Sequence, residues 1–232
     1  MEETDELNQI ISQSILRFSL TDGGINQPDY ALFSGGARII PDLTSATFDI
    51  KPKGFIKSTL SSLIGRGNLV IARGPSTVLE PDRSIGKCWP MNGNLGQIGI
   101  ALARKIVVKE IVIEHVQFSL AYELDSALRE FEVLGYDEVR KVWRTLGNGT
   151  FDIFDSKVNS IQRFQMNYPS EEEDDQFETG LVVLKVLSNH GNSEFTCLYR
   201  IRVLGERRNL GNGLVDHQSS SQEQEQERIE MV

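Results

Sequence analysis

The chain is poor in the residues that carry most catalytic and metal chemistry. Its 232 residues include two cysteines, Cys88 and Cys197, and three histidines. No CxxC pair occurs and the histidines lack ligand spacing, so a zinc centre is not expected. A glycine-rich phosphate loop is missing, as is a G-x-S-x-G nucleophile elbow, which removes the commonest nucleotide-binding and hydrolase classes. No apolar run reaches the ~18–20 residues that a membrane-spanning helix needs, and the N-terminus shows no signal-peptide pattern. Positive charge is scarce too. Lys and Arg number 24 against 33 Asp and Glu, a formal net charge of −9, with no basic stripe for a phosphate backbone. Nucleic acid is not an expected partner.

What remains is an acidic chain with enough apolar residues, 39 %, to bury a sizeable core. Residues 2–19 read as a helix: Leu7, Ile10, Ile11, Ser14, Ile15 and Phe18 fall at i, i+3, i+4 spacing behind an acidic first turn. Its apolar stripe packs on the body or on copies of itself. From residue 29 the punctuation is β-like, with turn signals at Ser34-Gly35-Gly36, Gly65-Arg66-Gly67, Gly74-Pro75, Glu80-Pro81-Asp82 and Asn92-Gly93-Asn94. Short β-branched runs lie between: 38–40, 69–72, 98–102, 106–114, 131–136, 151–154, 162–167, 181–188 and 196–204. Many short strands without alternating helices predict an all-β, compact antiparallel sandwich. Residues 170–176 (SEEEDDQ) read as a solvated acidic loop, and the tail from 218 (QSSSQEQEQE) as low-complexity and disordered.

An enzymatic reading has one candidate arrangement. Cys88 and His115 can be cast as nucleophile and base, with Asp82 or Glu114 orienting the ring. His115, however, lies in an alternating apolar strand, where a structural histidine is the commoner case, so no catalysis is expected. The two cysteines are either unrelated buried thiols or one long-range disulfide of an oxidising compartment. Residues 77–89 (TVLEPDRSIGKCW) read as a turn with acidic residues or as an oxygen-rich loop for a hard cation. The segment 44–73 carries Phe48, Ile50, Phe55, Ile56, Leu60, Leu63 and Ile64, interrupted by Lys51, Lys53, Lys57 and Arg66. It is an ordinary hairpin or a projecting ribbon whose edge accepts a peptide strand. Asn148-Gly149-Thr150 forms a glycosylation sequon.

Six blocks in order then carry a resemblance: 29–37 (DYALFSGGA), 79–89 (LEPDRSIGKCW), 113–116 (IEHV), 131–136 (FEVLGY), 186–191 (VLSNHG) and 195–205 (FTCLYRIRVLG). Together they resemble the SUN-domain signature and span nearly the whole globular part. The resemblance implies a β-sandwich at 29–206, an N-terminal helix and trimerisation segment at 1–28, and a polar tail at 207–232. It implies a homotrimer without enzymatic activity or organic cofactor. Such a domain faces the perinuclear space from an inner nuclear membrane protein of the LINC complex, so the parent protein is expected to be membrane-anchored outside this stretch. There it binds the C-terminal KASH peptide of an outer nuclear membrane protein and couples nucleus to cytoskeleton.

Residue by residue, the resemblance makes 48–74 a β-hairpin lid over the peptide, offering Phe48, Ile50, Phe55, Ile56, Leu60, Leu63 and Ile64. It makes 77–88 a cation loop that holds a monovalent ion, potassium, mostly through carbonyls, with Thr77, Glu80, Asp82, Lys87 and Tyr199 as its positions. Glu80 and Lys87 replace uncharged amides of relatives. It pairs Cys88 with Cys197, and it sets His115, Ser126 and Tyr199 around the peptide's terminal carboxylate. Phe195 stands where relatives often carry a second tyrosine, and Thr44 where some carry a cysteine that bonds the peptide covalently, so a non-covalent hold is expected. The rival class is a carbohydrate-binding or adhesion β-sandwich, since this architecture hosts many ligand types.

Overall fold

The computed structural model describes residues 27–48, 72–154, 160–167 and 176–208. The expected helix over 2–19, lid residues 49–71, acidic residues 170–175 and the tail from 209 lie outside the described residues.

Nine strands are described: β1 (Arg38–Ile39), β2 (Trp89–Asn92), β3 (Gly96–Glu114), β4 (Glu130–Asp137), β5 (Val142–Thr150), β6 (Ile161–Gln165), β7 (Thr179–Val186), β8 (Phe195–Leu198) and β9 (Arg200–Glu206). All their pairings are antiparallel. The main sheet runs β1-β3-β7-β4-β5, with β6 and β9 also paired to β3, and β2 and β8 form a small second sheet. The sandwich expected from the strand pattern is what folds.

β3 organises the rest. Two strands were expected at 98–102 and 106–114, but a single strand of 19 residues forms. Its first half lies between β1 and β7, and its second half between β6 and β9. The register with β7 breaks between Ala101 and Ile106. That irregularity leaves Arg104 and Lys105 exposed in mid-strand, and they are what made the sequence look interrupted. β-branched residues on either side (Ile98, Ile100, Ile106, Val108, Ile111, Ile113) are buried and belong to one core cluster.

The same cluster takes Phe131 and Val133 from β4, Val182 and Leu184 from β7, Ile201 and Val203 from β9, and Trp89 and Met91 from β2. Trp89 is fully buried, and its indole N–H donates to Thr47 Oγ1 at 2.9 Å, so its one polar atom is satisfied. Each large side chain buried this way contributes about 1.5–3 kcal/mol.

Three further expectations needed correction. β2 and β5 were not foreseen; β5 reads VWRTLGNGT, with two glycines and few β-branched residues. The strand expected at 151–154 is irregular chain instead. The strand expected at 196–204 breaks at Tyr199, because β8 pairs with β2 in the small sheet while β9 pairs with β3 in the large one. Tyr199 is the residue at which the chain changes sheets.

Candidate functional site

The site begins with the loop between a short helical turn (Pro75–Leu79) and β2. Cys88 closes this loop by a disulfide to Cys197 on β8, 109 residues away, with Cα atoms 5.5 Å apart. The β2–β8 register places Pro90 opposite Cys197 and Trp89 opposite Leu198, so the bond locks a pairing that the small sheet already makes. Inside the loop, Asp82 Oδ1 accepts from the Ser84 amide (3.0 Å) and hydroxyl (2.6 Å), while Oδ2 faces Lys87 Nζ at 3.1 Å. The Ser84 hydroxyl, then its amide and Lys87, hold this carboxyl well below the usual carboxylate range. Gly86 takes the left-handed conformation (φ 75°) that the turn needs. Gly86 lies near the Tyr199 phenol.

Behind the loop sits a buried charge cluster. Arg83 Nε meets Glu114 Oε2 at 2.8 Å as an ion pair, off the line of a hydrogen bond. Glu114 Oε1 accepts from Arg202 and lies 3.9 Å from Arg200 Nε. Arg200 Nη2 donates to Asp29 Oδ2 at 3.2 Å, and Asp29 Oδ1 takes the amides of Ala31 (2.9 Å) and Val203 (3.3 Å). Burial pushes the Asp29 carboxyl up, and those amides and Arg200 offset it only in part. Glu114 precedes His115 and Arg200 follows Tyr199. The cluster therefore anchors the backbone of two residues that face the cleft described next.

A cleft of about 430 Å³ brings together Phe48, His115, Ser126, Phe195 and Tyr199, with the Cys88–Cys197 bond in its wall. These five, drawn from the resemblance, thus share one site; Ile50, Phe55, Ile56, Leu60, Leu63 and Ile64 lie outside the described residues. Phe195 stacks on Phe48 with ring centroids 5.3 Å apart. Its missing hydroxyl is accounted for: the position serves an apolar stack.

The three expected hydrogen-bond donors differ from one another. His115 Nδ1 donates to the Val116 carbonyl at 2.9 Å, which fixes the neutral tautomer and leaves Nε2 buried without a partner. Burial lowers its pKa, and the Tyr199 ring packs edge-on at 4.6 Å. Ser126 already donates its hydroxyl proton to the Glu123 carbonyl at 2.7 Å. Burial raises the Tyr199 pKa and the Gly86 backbone offsets it in part, so the phenol stays protonated with an O–H to offer a ligand. Arg73 also lines the cleft. It was not among the expected site residues, although a guanidinium is the strongest carboxylate partner available.

Thr77, Glu80, Asp82 and Lys87 gather in and beside the loop, with Tyr199 near it at Gly86. The Asp82 carboxylate is spent on Ser84 and Lys87. The carbonyls of Thr77 and Ser84 each accept one amide, from Glu80 (3.0 Å) and Lys87 (2.9 Å), and keep a second lone pair. Among the described residues no three His, Cys, Asp or Glu side chains cluster as metal ligands. A divalent ion wants several charged oxygens. Neutral carbonyls are the donor set of a monovalent cation.

An antiparallel β-sandwich with an apolar cleft and a few polar groups converging on it has the form of a ligand-binding site. Residues 69–207 match the family described as Sad1 / UNC-like C-terminal, and the chain belongs to that family, the SUN domains. It is 32% identical over 204 residues to "SUN domain-containing protein 2" of Mus musculus, covering 87% of this chain and 26% of that protein. "SUN domain-containing protein 1" of Homo sapiens is 33% identical over 182 residues, covering 77% of this chain and 21% of that protein. "SUN domain-containing protein 3" of Mus musculus is 32% identical over 205 residues, covering 87% and 59%. The chain thus spans only part of each of these relatives. Among solved structures, the family 32 carbohydrate-binding module of Streptococcus pneumoniae EndoD aligns with TM-score 0.50 at 13% identity, covering 77% of this chain and all of that one. A putative chitobiase fragment from Bacteroides thetaiotaomicron aligns with TM-score 0.51 at 9% identity, covering 81% and 98%. At such identities they share the fold alone.

Proposed function

We propose that this chain is a non-enzymatic receptor for the C-terminal KASH peptide of an outer nuclear membrane protein. It works as a homotrimer facing the perinuclear space of the nuclear envelope, in a parent protein anchored in the inner nuclear membrane, and so links nucleus to cytoskeleton. The observation that carries the reading is the cleft in which Phe48, His115, Ser126, Phe195 and Tyr199 meet beside the Cys88–Cys197 bond. The Phe48–Phe195 stack supplies an apolar floor for a side chain. Arg73 and the Tyr199 O–H supply charge and a donor for a terminal carboxylate. His115 Nε2 becomes a donor once its ring is protonated, and Ser126 once its hydroxyl turns from Glu123. Residues 48–74 act as the lid, and residues 1–28 hold the trimer together. Thr77, Glu80, Asp82, Lys87 and Tyr199 would hold potassium, mostly through their carbonyls, and would so steady the loop that bears Gly86 beside Tyr199. Thr44, whose hydroxyl donates to the Ile40 carbonyl at 2.7 Å, forms no covalent bond to the peptide.

Titrating the trimer with free-acid, amidated and one-residue-extended KASH tails tests this reading. Charge-assisted hydrogen bonds of ~1.5–3 kcal/mol lead us to expect a loss of about 2–3 kcal/mol or more on amidation or extension. Equal affinities for all three would refute the carboxylate pocket. The same titration with simple sugars separates the carbohydrate-binding alternative, which rests on fold alone.

A further inference from the structure

Asn148, Gly149 and Thr150 end β5, and the sequence holds no other N-x-Ser/Thr triplet. Strand geometry sends alternate side chains to opposite faces. A Cβ on Gly149 would lie 2.6 Å from both Phe131 and Phe164, two rings packed edge-to-face at 4.8 Å. Position 149 therefore points into the core, where only glycine fits. Asn148 and Thr150 point the other way, and both are exposed.

Their cross-strand partners are Glu132 and Glu130. The Glu132 carboxylate is held by Thr145 Oγ1 (2.9 Å) and Lys185 Nζ (3.2 Å). The Glu130 carboxylate takes the Ser188 hydroxyl at 2.8 Å. Neither acidic group is spent on the sequon. β5 also closes the sheet order, and among the described residues it pairs with β4 alone. Among the described residues, a bulky group on Asn148 thus meets no packed neighbour. The Cys88–Cys197 disulfide gives independent evidence of an oxidising compartment, the setting in which such triplets are modified.

We propose that Asn148 carries an N-linked oligosaccharide. The inference rests on the lumenal orientation in the proposed function. The co-reactant is a lipid-diphosphate-linked oligosaccharide. The Asn148 Nδ2–sugar C1 bond forms, the C1–O bond to the lipid diphosphate breaks, the amide loses one proton, and the lipid diphosphate leaves. The modification places a large hydrophilic group on the outward face of β7, β4 and β5 and beside the open edge of β5, where it blocks edge pairing with another chain. The subunit contacts of the trimer then use other surfaces.

The test expresses the full-length parent protein in eukaryotic cells, treats it with peptide-N-glycosidase, and reads gel mobility and the mass of the peptide containing residue 148. The expected result is a downward mobility step in the wild type assignable to residue 148, which is read as aspartate after release. That step should vanish in both Asn148→Gln and Thr150→Ala, so that misfolding of one variant cannot mimic the outcome. A control for orientation is Pro28→Thr in the Asn148→Gln background, which completes a triplet with Asn26 and Gln27. An unmodified wild type with a modified control overturns the inference and leaves the lumenal reading standing. If neither is modified, the lumenal reading falls and takes the inference with it.

Discussion

Two groups of charges meet at Arg83, and they do opposite work. On the solvent side, Asp82, Ser84 and Lys87 shape the loop through contacts that water competes for. On the inner side, Glu114 is completely buried between Arg83, Arg200 and Arg202. An exposed pair sets local conformation while adding little to stability, because the ions lose little by separating. A buried pair leaves an uncompensated charge when one partner goes. The loop is therefore replaceable in its outer stitches and irreplaceable at its root.

The sharpest break in that comparison is Glu114→Ala. It strands the arginines in the core and should cost about 3–5 kcal/mol of unfolding free energy, read from the urea midpoint. A loss below about 1 kcal/mol would mean that the inner cluster behaves like a surface pair. Next comes the covalent root of the loop. Replacing Cys88 and Cys197 with serine together should cost about 2–4 kcal/mol, and should weaken peptide binding further because Gly86 no longer stays against Tyr199.

A smaller effect separates the two sides by pH. His115 has a folded pKa below its ordinary 6.5, chiefly through burial. Below pH 6.5 the unfolded state takes up the proton more readily than the folded one, so stability is full above that pH and falls as pH drops through and below it. Urea midpoints should decline between pH 7.5 and 5.5, and the decline should shrink in His115→Phe. An unchanged slope in that variant would assign the titration elsewhere. The smallest effect is Lys87→Ala, for which no shift of the urea midpoint is expected; a clear loss would show that the outer stitches also carry stability.

Much of the sandwich was legible because β-branched runs at 106–114, 131–136 and 181–188 bury alternating or continuous apolar faces. The continuity of β3 was not, since Arg104 and Lys105 leave the register by an irregularity that only the pairing with β7 reveals. β5 was missed because its strand character comes from neighbours: Gly149 is there to admit Phe131 and Phe164, and composition reads it as a turn. In the site, the family resemblance was enough to gather His115, Ser126, Phe195 and Tyr199. It could not show that the Ser126 proton is committed to Glu123, nor that Arg73 enters the same cleft, because both depend on loop conformation. The charge cluster had a signal that went unread. Arg200 and Arg202 in RIRV and Glu114 in IVIE are charges inside apolar strands, where burial demands a partner.

β3 pairs with β1 and β7 through one half and with β6 and β9 through the other. Neither half can melt without taking a share of the other's ladder, and no cut through the chain between the halves would leave two self-sufficient pieces. Opening should therefore be all-or-none, with the amides of β3 exchanging with solvent only through global unfolding. In the proposed role as a tether between two membranes, load passing through such a strand would meet no weaker half of it to give way first.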